Sequence, residues 1–243
     1  MNDEKEYTEG IAVKENKFLT WFDNYWYHYK WVTIVVAFAV IVFSICIIQS
    51  CTTEKTDVLI SYAGPVYFNP ENSAAIDSAL NKALNEEDGK DKLKISFKPY
   101  YVLTTEQIEE LKKETDSEGR PKNDVNTSFN GQEFENFKSQ LMSGSSAIIF
   151  IDKDMYKMFF DEKGTAERLQ PLSEVLGTTP ANAVDAYGVR LGDTELYKSY
   201  PDIRRLPEDT LVCLHRKIGT QKAYDKQVEV FKKITKEAKD GGN

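Results

Sequence analysis

The chain has 243 residues, a net charge of −8 and a pI near 5.0, with acidic and basic residues mixed along its length. That balance, without a basic stripe, argues against nucleic acid as a partner and leaves no polybasic patch for anionic lipid. Three cysteines and two histidines, His28 and His215, supply neither a disulfide framework nor a zinc centre, so no cofactor or metal is expected.

Met1–Gly10 is a polar, acidic tail. Aromatic residues then crowd together (Trp21, Phe22, Tyr25, Trp26, Tyr27, Tyr29) and lead into Trp31–Ile48, eighteen residues without a charge, proline or glycine. As a helix at about 1.5 Å per residue this run reaches ~27 Å, close to the hydrocarbon thickness of a bilayer. The aromatic rings suit the headgroup region, either as an interfacial segment that turns into the membrane or as a plain continuation of the spanning helix. Lys14, Lys17 and Lys30 precede the run and only Lys55 follows it closely, so the N-terminus is expected in the cytoplasm and the rest outside. Thirty residues before the apolar run, six of them acidic, fit an uncleaved signal-anchor better than a cleaved leader. Gln49-Ser50-Cys51 is a poor lipoprotein signal, which leaves lipidation at Cys51 as the lesser alternative. The expected division is a cytoplasmic tail with its aromatic segment over 1–30, a transmembrane helix over 31–49, a linker over 50–56 and an extracellular domain over 57–243.

In that domain Asp57–Gly64 reads as a buried strand stopped by Gly64-Pro65. Asn69-Pro70 starts a helix over Glu71–Asn85, and Glu86–Lys90 is a charged loop. Leu93–Leu103 alternates as a strand, and Pro99 puts it at an edge or a bulge. A helix runs from Thr105 to about Thr115, with its capping-box spacing just missed. Asp116–Asn130 reads as a polar insertion, and it holds the glycosylation-type triplet Asn126-Thr127-Ser128. Gln132–Met142 is a helix closed at Gly144, Ser146–Ile151 the most apolar strand, and Met155–Glu162 a helix that Asp154 can cap. A short helix follows Pro171, then a strand over Ala186–Leu191 and a helix over Glu195–Arg205 broken at Pro201. A strand over Thr210–Lys217 and an amphipathic helix over Gln221–Ala238 end the chain. Alternating strands and helices predict a layered α/β fold with a largely parallel sheet.

The stretch FKSQLMSGSSAIIFIDKDMYKMFFDEKGTAERLQPLSEVL, Phe137–Leu176, resembles the extracellular solute-binding proteins of ABC importers, of the type II periplasmic-binding-protein fold. The likeness lies in a helix ending at Gly144, the apolar strand Ala147–Ile151, a helix from Met155 to Phe160, Gly164, and Leu169 with Leu172. Tyr187-Gly188-Val189 and Asp209–Val212 look like that family's return through its first lobe. The family's Gly-x-x-Pro-Asp is replaced here by Gly144–Ile148 without the Pro-Asp, and the domain is shorter than two full lobes. The resemblance therefore implies one lobe, or a shortened form, held at the membrane. Tyr29–Trp31 is similar to the membrane-proximal start of single-span proteins of Gram-positive bacteria.

Ligands of open parallel sheets sit beyond the carboxyl ends of the strands, where helix N-termini present free N–H groups. That rule selects Tyr62, Gly64, Ser145, Ser146 and Asp152 as candidate ligand-binding residues. No GxSxG, phosphate loop or Cys/His dyad occurs, and catalytic residues are not expected. The expected function is a non-enzymatic binding or accessory subunit on a membrane complex. The alternatives are a sugar or peptide receptor for an ABC transporter, and an anchored hydrolase.

Overall fold

The computed structural model describes residues 17–52, 56–86, 92–114, 117–118, 125–160 and 166–238. The chain divides into two compact units, 1–54 and 55–243. The expected tail Met1–Gly10, most of the charged loop, residues 115–116 and 119–124 of the polar insertion, and Gly164 lie outside the described residues.

The first unit is one helix, α1 (Lys17–Thr52), 36 residues long. Its segment Asn24–Ile47 is, among the described residues, the one stretch long and apolar enough to cross a membrane. No turn separates the aromatic residues from the apolar run. Residues four apart share a helical face, so Trp21 stacks on Tyr25 and Tyr25 on Tyr29, with ring centroids 5.7 and 5.4 Å apart.

The second unit is mixed α/β. Its elements are β1 (Val58–Gly64), α2 (Pro70–Leu84), β2 (Ile95–Tyr101), α3 (Thr105–Lys113), α4 (Thr127–Ser143), β3 (Ile148–Ile151) and α5 (Lys153–Phe160). The chain continues with α6 (Leu172–Leu176), β4 (Gly188–Arg190), α7 (Glu195–Ser199), β5 (Leu211–Leu214) and α8 (Gln221–Ile234). The strands form one open five-stranded sheet in the order β2-β1-β3-β5-β4. β1 is parallel to β2 and β3, whereas β5 is antiparallel to both of its neighbours. The sheet is therefore mixed, not largely parallel. The segment after β4 returns to the sheet end it left, where the Leu191 N–H donates to the Thr210 carbonyl at 2.8 Å. β4 and β5 are thus a wide antiparallel hairpin, not the two ends of a crossover.

Alternation along the strands divides the core. Val58, Ile60, Tyr62, Phe150 and Val212 face a layer with Ile76 and Leu80 of α2 and Phe231 of α8. Ala63, Ile149 and Ile151 face Phe137 and Leu141 of α4 and Met155 of α5. β3 is fully buried on both faces.

β2 is an edge strand, as Pro99 implied, and its outward backbone is sealed by side chains. Asn85 exchanges two hydrogen bonds with the backbone of Leu93, Asn81 does the same with Ile95, and Asp77 accepts from the Phe97 N–H at 2.7 Å. Four helical residues advance about 6 Å and two strand residues about 6.6 Å. Positions 77, 81 and 85 of α2 therefore keep step with 97, 95 and 93. Pro99, the next outward residue, has no N–H to satisfy.

Local chemistry moves several helix ends from their expected places. Thr104 and Gln107 form a reciprocal capping box on α3, one residue before the spacing that was just missed. Helix α4 begins at Thr127, inside the expected polar insertion, because Asn126 accepts from the Phe129 N–H at 3.0 Å. Asn130 then turns inward and exchanges two bonds with the backbone of Leu103. The cap of α5 is Asp152 and not Asp154: its Oδ1 accepts from the N–H groups of Asp154 (3.0 Å) and Met155 (3.3 Å). Gly144 does take the left-handed cap position, at φ 62°.

Candidate functional site

A sheet ordered 2-1-3 has its switch point between β1 and β3, where the connections leave in opposite directions. Tyr62, Gly64 and Asp152 meet there. The Asp152 N–H donates to the Ala63 carbonyl at 2.9 Å, which sets Asp152 beside Gly64. One residue beyond the Ile151–Leu211 pair, the antiparallel register puts Thr210 opposite Asp152. By the same alternation Tyr62, Gly64, Asp152 and Thr210 all lie on the sheet face that carries Phe150 and Val212.

Gly64 is needed for this arrangement. A Cβ built on it would lie 2.5 Å from the Tyr62 hydroxyl and 2.9 Å from Asp152 Cβ. The Tyr62 ring therefore runs up the sheet, edge-on to Phe68 with centroids 5.3 Å apart, and its hydroxyl reaches past Gly64 toward Asp152. Tyr62 and Thr210 are both 0% exposed, and neither hydroxyl has a hydrogen-bond partner. Burial, reinforced by the negative charges of Asp152 and Asp209, pushes the Tyr62 hydroxyl well above the usual tyrosine range, so it stays a neutral phenol.

Asp152 is 6% exposed. Its Oδ1 takes three donors: the two N–H groups of α5 and Gln107 Nε2 at 3.1 Å. Gln107 is aimed by the capping box, since its Oε1 accepts from the Thr104 N–H at 3.0 Å. Oδ2 makes no hydrogen bond with any described residue. The nearest cation in sequence, Lys153, is turned to Asp209 at 2.9 Å, and that carboxylate raises the Lys153 ammonium above its usual range. Asp152 is thus a buried carboxylate held by three hydrogen bonds, and its charge adds to those of Asp209 and Asp154 on Lys153.

Ser145 and Ser146 do not join this group. They precede β3 and so sit at its amino end. Ser146 is buried, and its hydroxyl bonds that of Ser61. Ser145 is exposed and bonds Ser143, with the hydroxyl oxygens 2.7 Å apart. Thr210, which sequence reasoning passed over, replaces them. Its only signal in the sequence is its place at the head of the run TLVCL. The N–H groups of Asp154 and Met155 at the start of α5 are taken by Asp152 itself. What remains without partners is the pair of hydroxyls of Tyr62 and Thr210, each able to donate and to accept.

Surface depressions lie outside this group, one of about 660 Å³ being lined by Ser78, Asn81, Asn85, Lys92 and Leu93 along the sealed edge. A groove of about 610 Å³ beside the switch point is lined by Thr104, Glu106, Gln107, Glu110, Asp154 and Met158. A smaller one, about 380 Å³, lies between α2, α7 and α8, but its charged groups are already paired. There Lys236 meets Glu195 at 2.7 Å and the Tyr200 hydroxyl bonds Glu86. Cys213 is fully buried on β5, and burial pushes its thiol well above the range in which it would be reactive. Among the described residues no group of three or more His, Cys, Asp or Glu side chains is placed to hold a metal.

No protein-family profile matches this chain, and neither a curated protein nor a solved structure does.

Proposed function

We propose that this protein is a membrane-anchored, non-enzymatic binding domain that serves as an accessory subunit at the cell surface, with its site at the switch point of the sheet. Residues 31–49 hold it in the bilayer, the N-terminus lies in the cytoplasm and the α/β unit works outside. The observation that carries the binding role is the pair of buried hydroxyls without partners, those of Tyr62 and Thr210. Native interiors leave few such groups, and each asks for something to complete it. The resemblance to solute-binding proteins enters here as one lobe, supported by the 2-1-3 start of the sheet and by the presence of a single sheet. A lone lobe has no facing lobe to close on a large solute, which favours an accessory role over that of a transport receptor.

Topology is tested with single cysteines, Lys5→Cys and Asp240→Cys, after replacing Cys46, Cys51 and Cys213. An impermeant thiol reagent on intact cells is expected to label position 240 alone. Labelling of position 5 alone reverses the orientation. Function is tested on the full chain in mild detergent, melted with sugars, amino acids, short peptides and amines, and sized in native form. A ligand of any class raises the melting temperature by mass action. A chain that responds to none of them, and migrates at its own mass, would falsify the reading.

A further inference from the structure

We infer that His215 is a proton-operated latch between α4 and β5: in the folded chain its ring carries two protons and donates to the Leu141 and Arg216 carbonyls at once. The latch lies at the amino end of β3, away from the switch point, and stands independently of the binding role proposed above.

His215 follows β5 directly and is 4% exposed. Its backbone is tied on both sides. The His215 N–H donates to the Ala147 carbonyl at 2.8 Å, and the N–H groups of Gln170 and Arg216 donate to the Leu214 and Arg168 carbonyls at 2.8 and 2.7 Å. The ring is thereby set against the last turn of α4, where the Gly144 cap leaves room for it. A Cβ on Gly144 would lie 3.2 Å from His215 Cε1. Nε2 is 3.0 Å from the Leu141 carbonyl oxygen, and Nδ1 is 2.8 Å from that of Arg216.

Donor counting decides the state of the ring. A carbonyl oxygen only accepts, and a neutral imidazole has one N–H and one lone pair. With one proton, either tautomer aims its lone pair at a carbonyl lone pair across 2.8 or 3.0 Å. With two protons both contacts become hydrogen bonds, and charge-assisted ones.

Burial opposes the second proton, as do the guanidinium groups of Arg168 and Arg216. Both arginines are turned to other acceptors, Arg168 to the Met142 carbonyl at 3.3 Å and Arg216 Nε to the Leu169 carbonyl at 3.1 Å. Lys217 is turned to Gln221 at 2.6 Å, and Lys138 of α4 lies 3.5 Å from Glu135. Glu167, beside Arg168, is exposed. Burial keeps the Cys213 thiol, two residues before His215, in its neutral form. On the other side stand the two carbonyls in contact with the ring and the C-terminus of a 17-residue helix, whose dipole favours a cation in its last turn. These prevail, because shedding the proton would not release the ring to water but would turn one of its bonds into a repulsion.

The sign of the pH dependence follows. An unfolded histidine holds its second proton only below about pH 6.5, whereas the latch adds two bonds to that proton. The folded state therefore binds more protons than the unfolded one through this range. Stability from the latch is complete below it and is lost as pH rises.

The chain has two histidines, so His28→Gln leaves His215 as the single imidazole. The full chain carrying that change, labelled with nitrogen-15 in its histidine and held in micelles, is read by nuclear magnetic resonance. At about pH 7.5, where a free imidazole is neutral, both ring nitrogens are expected to show the shifts of protonated nitrogen. One protonated nitrogen and one bare lone pair at that pH would overturn the inference, and the ring would be a fixed tautomer. Melting supplies the second reading. Between about pH 8 and about pH 6 the carboxylates stay ionised, and over that span the wild type is expected to gain several degrees. His215→Gln, whose amide does not titrate, is expected to gain less than half as much. Parallel profiles in the two proteins would also overturn the latch, and should His215→Gln fail to fold, the nitrogen shifts decide alone.

Discussion

Two regions of the sheet treat polar groups in opposite ways. Along β2, side chains of the same chain close the edge: Asn85 on Leu93, Asn81 on Ile95, Asp77 on Phe97, and a proline where no donor is needed. At the carboxyl ends of β1 and β3 the same unit leaves the buried hydroxyls of Tyr62 and Thr210 without partners. The first region shows that this sequence can complete a row of polar groups where completion keeps the edge from pairing with another chain. The second is an exception, shared among the described residues with the side-chain amide of Asn182, and exceptions to polar satisfaction ask for something to complete them.

Both regions stand on the central strand, so the largest expected effect comes from breaking it. Phe150 is 0% exposed, and Phe150→Ala is expected to cost about 3–5 kcal/mol, measured by chemical denaturation of the full chain in micelles. A loss below about 1 kcal/mol would mean that the strand does not carry the packing it displays. Opening the closed edge comes next. Asn81→Ala strips both partners from Ile95 and is expected to cost about 2 kcal/mol, with self-association that grows with concentration. A strictly monomeric variant of wild-type stability would show that solvent seals the edge as well as Asn81 does.

How much of this was legible beforehand follows the range of each interaction. The strands around Ile60, Ile149 and Val212, the glycine cap at Gly144 and the edge position of β2 all rest on local pattern, and the sequence displayed them. The antiparallel entry of β5 depends on where the chain returns after α7, which no spacing encodes. The Asp77-Asn81-Asn85 ladder has visible i, i+4 spacing, but it means nothing until a strand lies beside it. At the site, the strand-end rule found Tyr62, Gly64 and Asp152. It also admitted Ser145 and Ser146, which sit at the start of β3, and it missed Thr210, which reaches the same place from an antiparallel strand. The role of Asp152 as the cap of α5 was missed because Asp154 had the more familiar spacing.

Filling the open region sterically is the third test. Gly64→Ala puts a methyl where the Tyr62 hydroxyl and Asp152 Cβ already crowd, and overpacking of this kind costs about 1–2 kcal/mol. Wild-type stability would mean that Tyr62 moves aside freely.

The smallest effect comes from a charged pair nearer the surface than Asp152. Asp57, just before β1, accepts from Lys226 Nζ at 2.5 Å through Oδ1 and from the Lys94 N–H at 3.0 Å through Oδ2. The Lys226 hydrogen bond first, and the Lys94 backbone second, hold its carboxyl below the usual aspartate range. A carboxyl whose folded value is depressed binds fewer protons in the folded state than in the unfolded one. Its contribution is therefore complete above the ordinary carboxylate range and is lost as pH falls through the folded value. Asp57 is 30% exposed and Lys226 37%, so solvent screens the pair, and about 1 kcal/mol or less is at stake. Denaturation at pH 6 and again near pH 3 is expected to show a smaller acid-induced loss in Asp57→Asn than in the wild type. Equal losses in the two proteins would assign acid sensitivity to other carboxylates.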